Sequence, residues 1–166
     1  ENTIIFFFAD HGRPMPWGKQ WLSVEGLHVP LVIHGAAFGQ GGVEERLTSL
    51  IDLAPTMLKL AGIAVPQWME GIDLLGAGME QRDCVFAARD RCGDAMDRIR
   101  AVITKDRWLV QNFFPNLPHM NWSSYKEDQY PAMPLLRELH RAGELNSQQS
   151  EWMAEERSAL EFYDLA

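Results

Sequence analysis

The chain has 166 residues, 46% hydrophobic and 23% charged, which is enough for one globular domain with a real core and short for two. A net charge of −8 and a pI near 5.1 argue against a nucleic-acid partner, since a phosphate backbone demands a basic face. No apolar run approaches the roughly 18–20 residues needed to span a bilayer.

Thr3 to Phe8 is a continuous β-branched and aromatic run, the pattern of a central strand covered on both faces. It lacks the basic start and small-residue cleavage site of a signal peptide and reads as a chain taken up at the lip of a buried strand. Ala9-Asp10-His11-Gly12 follows, then a loop rich in Pro and Gly from Arg13 to Lys19. A second apolar strand spans Val29 to His34, with Pro30 suited to its first residue or to an edge. Gly35 to Gly42 is a turn-rich connection. The next helix has Asp52 as its cap, Pro55 in its first turn, an apolar stripe through Leu53, Met57 and Leu58, and Gly62 as its stop.

From about Asp83 the texture changes. Cys84–Ala88, Arg100–Thr104 and Trp108–Phe113 are short strands, the last two joined by a hairpin at Lys105-Asp106-Arg107. Helices are expected from about Pro134 to Ala142, stopped by Gly143, and from Ser147 to Arg157, capped from Asn146-Ser147. Glu155-Glu156-Arg157 reads as a solvated helix face, and Glu161–Leu165 adds an edge strand. The stretch from Phe113 to Pro131 is aromatic and proline-rich without a clean period. The order of elements is α/β: the end of a sheet domain over residues 1–78, then a small α+β subdomain with a short antiparallel sheet over residues 79–166, the boundary near Gly76 to Arg82. Cys84 and Cys92 make no disulfide framework and no C-x-x-C motif, so free or buried thiols are expected.

Ligands of open α/β sheets bind beyond the carboxyl ends of the strands, where Asp10 and His11 stand. A carboxylate beside an imidazole can hold a divalent cation, though two residues do not complete a site. On spacing alone the pair is equally a turn cap and an ordinary loop histidine. Lys19, on a loop stiffened by Pro14 and Pro16, is placed to stabilise a developing oxyanion; in isolation it reads as a solvated surface lysine.

Taken together, Asp10-His11-Gly12, Gly18-Lys19, Glu25-Gly26-Leu27-His28-Val29-Pro30 and Asp52-Leu53-Ala54-Pro55-Thr56 resemble the sulfatase family of the alkaline phosphatase superfamily. The Gly12-x-Pro14-x-Pro16-x-Gly18-Lys19 loop is most similar to the branch of heparan N-sulfatases and their bacterial relatives. The resemblance implies an alkaline-phosphatase-like α/β sheet and a sulfuric ester hydrolase acting on sulfate esters or N-sulfates, its substrate a sulfated small molecule or saccharide. It implies that Asp10 and His11 are metal ligands and that Lys19 is a catalytic residue facing the sulfate. Calcium is the expected metal, with manganese open because His11 stands in place of an asparagine. By position against that branch, the segment Arg89-Asp90-Arg91 rims the substrate pocket, with Asp90 and Arg91 as the substrate-binding residues; otherwise it forms a solvated turn with a surface ion pair. The family's nucleophile is a formylglycine made from Cys or Ser in a Cys/Ser-x-Pro-x-Arg motif, and neither Cys84 nor Cys92 is followed by that pattern. The chain is therefore expected to be a fragment, inactive alone, of a periplasmic or secreted enzyme, with a sheet edge open to homo-oligomer formation. A phosphonate or phosphate ester hydrolase of the same superfamily and a non-catalytic binding module are the alternatives.

Overall fold

The computed structural model describes residues 3–36, 41–76 and 82–165. The expected boundary near Gly76 to Arg82 falls largely on residues 77–81, and part of the Gly35–Gly42 connection on residues 37–40; both lie outside the described residues. Strand β1 (Ile5–Phe8) pairs antiparallel with β2 (Leu31–His34), Phe6 opposite Ile33 and Phe8 opposite Leu31. Between them a compact loop carries the one-turn helix α1 (Val24–Leu27), whose amino end Ser23 caps by accepting from the Gly26 amide.

One face of this ribbon, carrying Phe6, Leu31 and Ile33, packs on Leu53 and Leu74. The other face carries Ile5, Phe7 and Val32 and is bare; Phe7 is 66% exposed. Among the described residues only one face of Thr3–Phe8 is therefore covered, which leaves the apolar sheet surface expected to be open to association. Helix α2 (Leu53–Leu60), the turn before it and the segment around Leu74 fill one side. His34 lies opposite Ile5 on the bare side and is exposed.

Asp52 does not cap α2 through its side chain, as expected, but closes the turn of 3-10 helix that precedes it (Leu50–Asp52). Its fully buried carboxylate accepts from the amides of Ser49 at 2.8 Å and Ile72 at 2.9 Å, and from both terminal nitrogens of Arg82. Thr56 hydroxyl donates to the Asp52 carbonyl and accepts from the Leu74 amide. Buried polar groups with all partners in place lock one geometry, and here they pin α2 to the 71–74 segment.

The second half is a four-stranded antiparallel sheet in the order β3 (Val85–Cys92), β4 (Ala95–Ile103), β5 (Arg107–Asn112), β6 (Leu160–Asp164). Strict alternation in β4 puts Asp97, Ile99, Ala101 and Ile103 on the inner face. The expected hairpin closes through the Thr104 amide to the Arg107 carbonyl, and β6 is the expected edge. Strand β3 is longer than expected. Arg89-Asp90-Arg91 is not a turn but the end of the strand, where the ladder slips a residue between Arg89 and Arg91.

Helices α3 (Ser124–Gln129), α4 (Ala132–Ala142) and α5 (Ser147–Met153) lie between β5 and β6. Gly143 ends α4 at φ +72°, and Asn146 with Gln149 forms the capping box of α5. Helix α5 stops at Met153, short of the expected Arg157. Beyond it the chain turns inward so that Arg157 amide meets the Pro115 carbonyl and its guanidinium forks onto Asp97. Arg157 is thus buried, not part of a solvated face. The helical core of Met120, Tyr130, Met133, Leu136 and Met153 also takes in Trp21 from the first half. Both cysteine thiols are free.

Candidate functional site

Past the end of β1 the Ala9 amide still bonds the Pro30 carbonyl, and the chain then leaves the ladder at Asp10 and His11. What fixes this corner is backbone against backbone. The Gly12 amide donates to the Gly26 carbonyl at 3.1 Å, and a Cβ on Gly12 would meet Glu25 carbonyl oxygen at 2.0 Å and Gly26 Cα at 2.6 Å. Gly26 is equally enclosed, its absent Cβ facing the Trp21 carbonyl oxygen at 2.2 Å. Both glycines are needed because only glycine permits such an approach.

Asp10 is open to solvent, its side chain 82% exposed, while His11 is partly covered. His11 Nδ1 lies 2.8 Å from the Gly12 carbonyl oxygen, and a carbonyl only accepts, so Nδ1 carries the proton. In the neutral ring the lone pair is then on Nε2, which is 3.5 Å from Asp10 Oδ1. The two atoms are close enough for one divalent cation to meet both, and a hydrogen bond from the far ring nitrogen is how ligating histidines are oriented. Among the described residues no group of three or more His, Cys, Asp or Glu side chains is placed to hold a metal by itself.

Lys19 stands at the far end of the proline loop. Its amide is fixed to the Arg13 carbonyl at 2.8 Å, and the loop turns through positive φ at Trp17 and Gln20. The ammonium donates to Tyr125 hydroxyl at 3.3 Å and lies 5.3 Å from that ring's centre, a contact that holds the Tyr125 hydroxyl below its usual range. Trp17 packs in the opposite direction, stacked on Trp152 at 5.5 Å and edge-on to His119 at 4.8 Å. It contributes to a second cleft of about 340 Å³ with Trp108, Glu151 and Glu161 and is absent from the one that holds Asp10.

Asp10 and His11 form one wall of a cleft of about 480 Å³, and the end of β3 forms the other. Asp90 and Arg91 are both there, so the structure brings four of the five expected site residues together; Lys19 is outside this lining. Asp90 is held by the Arg100 guanidinium at 2.8 and 3.2 Å, which keeps its carboxyl below the ordinary range, and Arg91 Nε donates to the Gly93 carbonyl.

Arg89, grouped with Asp90 and Arg91 in the sequence reading as a pocket rim or a solvated turn, is not a surface residue. The alternation Val85, Ala87, Arg89 turns it to the inner face, where its side chain is only 5% exposed, yet it lines the same cleft. Its guanidinium carbon is 5.8 Å from the Trp21 ring centre. Lys126, with no solvent exposure, also meets that ring, 3.0 Å from its centre, and burial followed by repulsion from Arg89 drives its pKa down to about 7. The signal for Arg89 was present as period-two alternation. Lys126, in a six-residue helix without an apolar stripe, left none.

Residues 1–63 match the sulfatase family. An ulvan-active sulfatase of Formosa agariphila is 33% identical over 166 residues, covering 99% of this chain and 28% of that protein. Human arylsulfatase K is 33% identical over 84 residues, 48% of this chain and 16% of that protein. Among solved structures, a 2-O GAG sulfatase superposes with a TM-score of 0.58 at 22% identity, over 84% of this chain and 34% of that one. A structure in complex with its substrate D-glucosamine-2-N,6-O-disulfate gives 0.51 at 20% identity, over 89% and 36%. The chain thus spans about a third or less of the length of these relatives.

Proposed function

Since the chain belongs to the sulfatase family, with an α/β fold to match, we propose that the full-length protein hydrolyses sulfate esters or N-sulfates of a saccharide. The observation that carries this reading is the Asp10–His11 corner, a carboxylate and an oriented imidazole lone pair at the carboxyl end of β1, on the wall of a cleft. Asp10 and His11 would contribute two ligands to a divalent-cation site, calcium by family and manganese by the imidazole. A cation bound there supplies positive charge against the sulfate oxygens.

The part of this chain's residues is to hold and orient. The Gly12–Gly26 contact keeps the corner rigid, so ligand placement costs little entropy on binding. Lys19, held on its loop by backbone bonds, would offer a fixed cation to charge developing on the bridging oxygen. Asp90 and Arg91 would touch the sugar from the opposite wall. The formylglycine nucleophile would come from outside these 166 residues, and export to the periplasm or beyond is part of the same proposal. A domain division near residue 78 is likewise proposed, the loop carrying Trp21 tying the two parts.

Two variants of the full-length protein test it, with an aryl sulfate as substrate and bound metal measured alongside kcat and KM. Asp10→Ala is expected to abolish turnover together with metal retention. Lys19→Ala is expected to keep its metal and lose about 10²–10³ in kcat, the usual range for one preorganised charge stabiliser. Near-wild-type turnover and full metal in Asp10→Ala would remove the site assignment.

A further inference from the structure

Arg89 is a buried cation whose counter-charge, Asp97, is shared with a second arginine. Its Nε and Nη1 have no hydrogen-bond partner. The nearest carboxylate is Asp97, whose Oδ2 is 3.7 Å from Nη1, beyond hydrogen-bond reach. Asp97 is already taken: Arg157 Nη1 donates to its Oδ2 at 3.0 Å and Arg157 Nη2 to its Oδ1. Lys126 adds a third buried amino or ammonium group whose Nζ also has no hydrogen-bond partner. One carboxylate therefore faces two guanidiniums and a lysine.

Uncompensated charge of this kind is among the costliest features a fold can hold, and a pure packing role would be served better by an apolar side chain. Arg89 is also the member of the group that reaches the cleft opposite Asp10 and His11. With no hydrogen bond to break, its outer torsions can turn the fork toward the cleft for the loss of only the 3.7 Å contact to Asp97 and the 5.8 Å contact to the Trp21 ring. A planar fork of N–H donors matches carboxylate and sulfate oxygens two at a time.

We propose that Arg89 binds a second oxyanion of the substrate, a carboxylate or a further sulfate on the saccharide that carries the scissile group. This rests on the function proposed above and narrows it: the substrates are polyanionic saccharides. Arg89 acts in binding, and Lys126 stands against Trp21 as part of the positive surroundings.

The test uses the full-length protein and three matched disaccharides that carry the same scissile sulfate: one otherwise neutral, one with a uronate carboxylate, one with a second sulfate. A hydrogen-bonded charge contact corresponds to about 10–100-fold in affinity. Arg89→Gln is expected to lower the ratio of kcat/KM for an anionic over the neutral substrate by that factor, mainly through KM. Arg89→Lys, which keeps the charge and loses the fork, should restore part of the ratio. A fall confined to the uronate assigns the carboxylate, and one confined to the disulfated substrate assigns the sulfate. A ratio unchanged in Arg89→Gln, or three substrates weakened alike, overturns the inference. If wild type turns over none of them, calorimetric titration with the uronate disaccharide decides separately. Saturable binding lost in Arg89→Gln keeps the anion site while the catalytic reading falls, and equal binding by both proteins ends the inference.

Discussion

Lys126→Met should make the protein more stable, and the gain should fade as pH rises. Lys126 is buried without a hydrogen bond to its Nζ, and its pKa is lowered from 10.5 to about 7, first by desolvation and next by Arg89. At 1.36 kcal/mol per unit that displacement corresponds to about 5 kcal/mol against the charged form. Contact with the Trp21 ring gives back about 2 kcal/mol, so desolvation wins by about 3 kcal/mol. Methionine fills nearly the same unbranched volume and keeps a favourable contact with the ring.

The sign of the pH dependence follows from proton counting. Between about pH 7 and 10.5 the unfolded chain holds the lysine proton and the folded one does not, so wild-type stability rises with pH through that window. As pH falls, that stability is lost between about 10.5 and 7, and below about 7 both states hold the proton and the dependence levels off. Urea denaturation of both proteins at pH 6.5, 8 and 9.5 should show an advantage for Lys126→Met of about 3 kcal/mol at the lowest pH, falling by roughly that amount at the highest. A difference independent of pH, or a Met variant less stable at pH 6.5, would show that Lys126 is paired and refute the reasoning.

Asp52→Asn should cost about 3–5 kcal/mol in the same denaturation assay, because the buried Arg82 fork and two backbone amides lose their acceptor charge; a loss under about 1 kcal/mol would show the network to be incidental. Gly12→Ala puts a methyl 2.0 Å from the Glu25 carbonyl oxygen, so in the full-length protein bound metal and kcat should fall together, and normal metal content would show the corner to be unimportant. The bare face of Ile5, Phe7 and Val32 should make the isolated chain self-associate, with Phe7→Asp raising the monomer fraction by light scattering; a wild-type monomer at high concentration contradicts this.

Where a local rule decides structure, the sequence showed it. Gly143 at φ +72°, the Asn146–Gln149 box and the Thr104–Arg107 turn each depend on neighbours in the chain, and α4, the start of α5 and the β4–β5 hairpin were readable from them. That Asp10 and His11 follow closely on the end of β1 was readable from the apolar run before them. What failed were elements set by distant partners. Helix α3 forms in an aperiodic stretch because Lys126 is carried under Trp21, over a hundred residues earlier. Arg89-Asp90-Arg91 was read as a turn because three charges in a row suggest solvent, although every second residue from Val85 faces inward. Arg157 was assigned to a helix face, yet Asp97, 60 residues away, ends the helix before it.

The two failures at Arg89 and Arg157 have one cause, and it bears on function. Asp97 stands on the inner face of β4 between Ala95 and Ile99, where alternation calls for an apolar residue. The buried pair of Asp97 with Arg157 makes two hydrogen bonds and balances its charges out of solvent, although Arg157 Nε has no partner. Adding Arg89 to this charge-balanced pair, 3.7 Å from Asp97, supplies no hydrogen bond and one excess charge. Stability therefore gives no reason for Arg89, whereas Arg157 is explained by it. A register slip beside Arg89 and a cleft in front of it are the two features that a binding residue on a strand requires. Neutralising Asp97 separates the roles: Asp97→Asn should destabilise the fold by about 3–5 kcal/mol through Arg157. It should also leave Arg89 more dependent on an external anion, so added sulfate should recover more stability in Asp97→Asn than in wild type. Equal recovery in Asp97→Asn and in Asp97→Asn/Arg89→Gln would assign the sulfate effect to Arg157 and leave Arg89 without its partner.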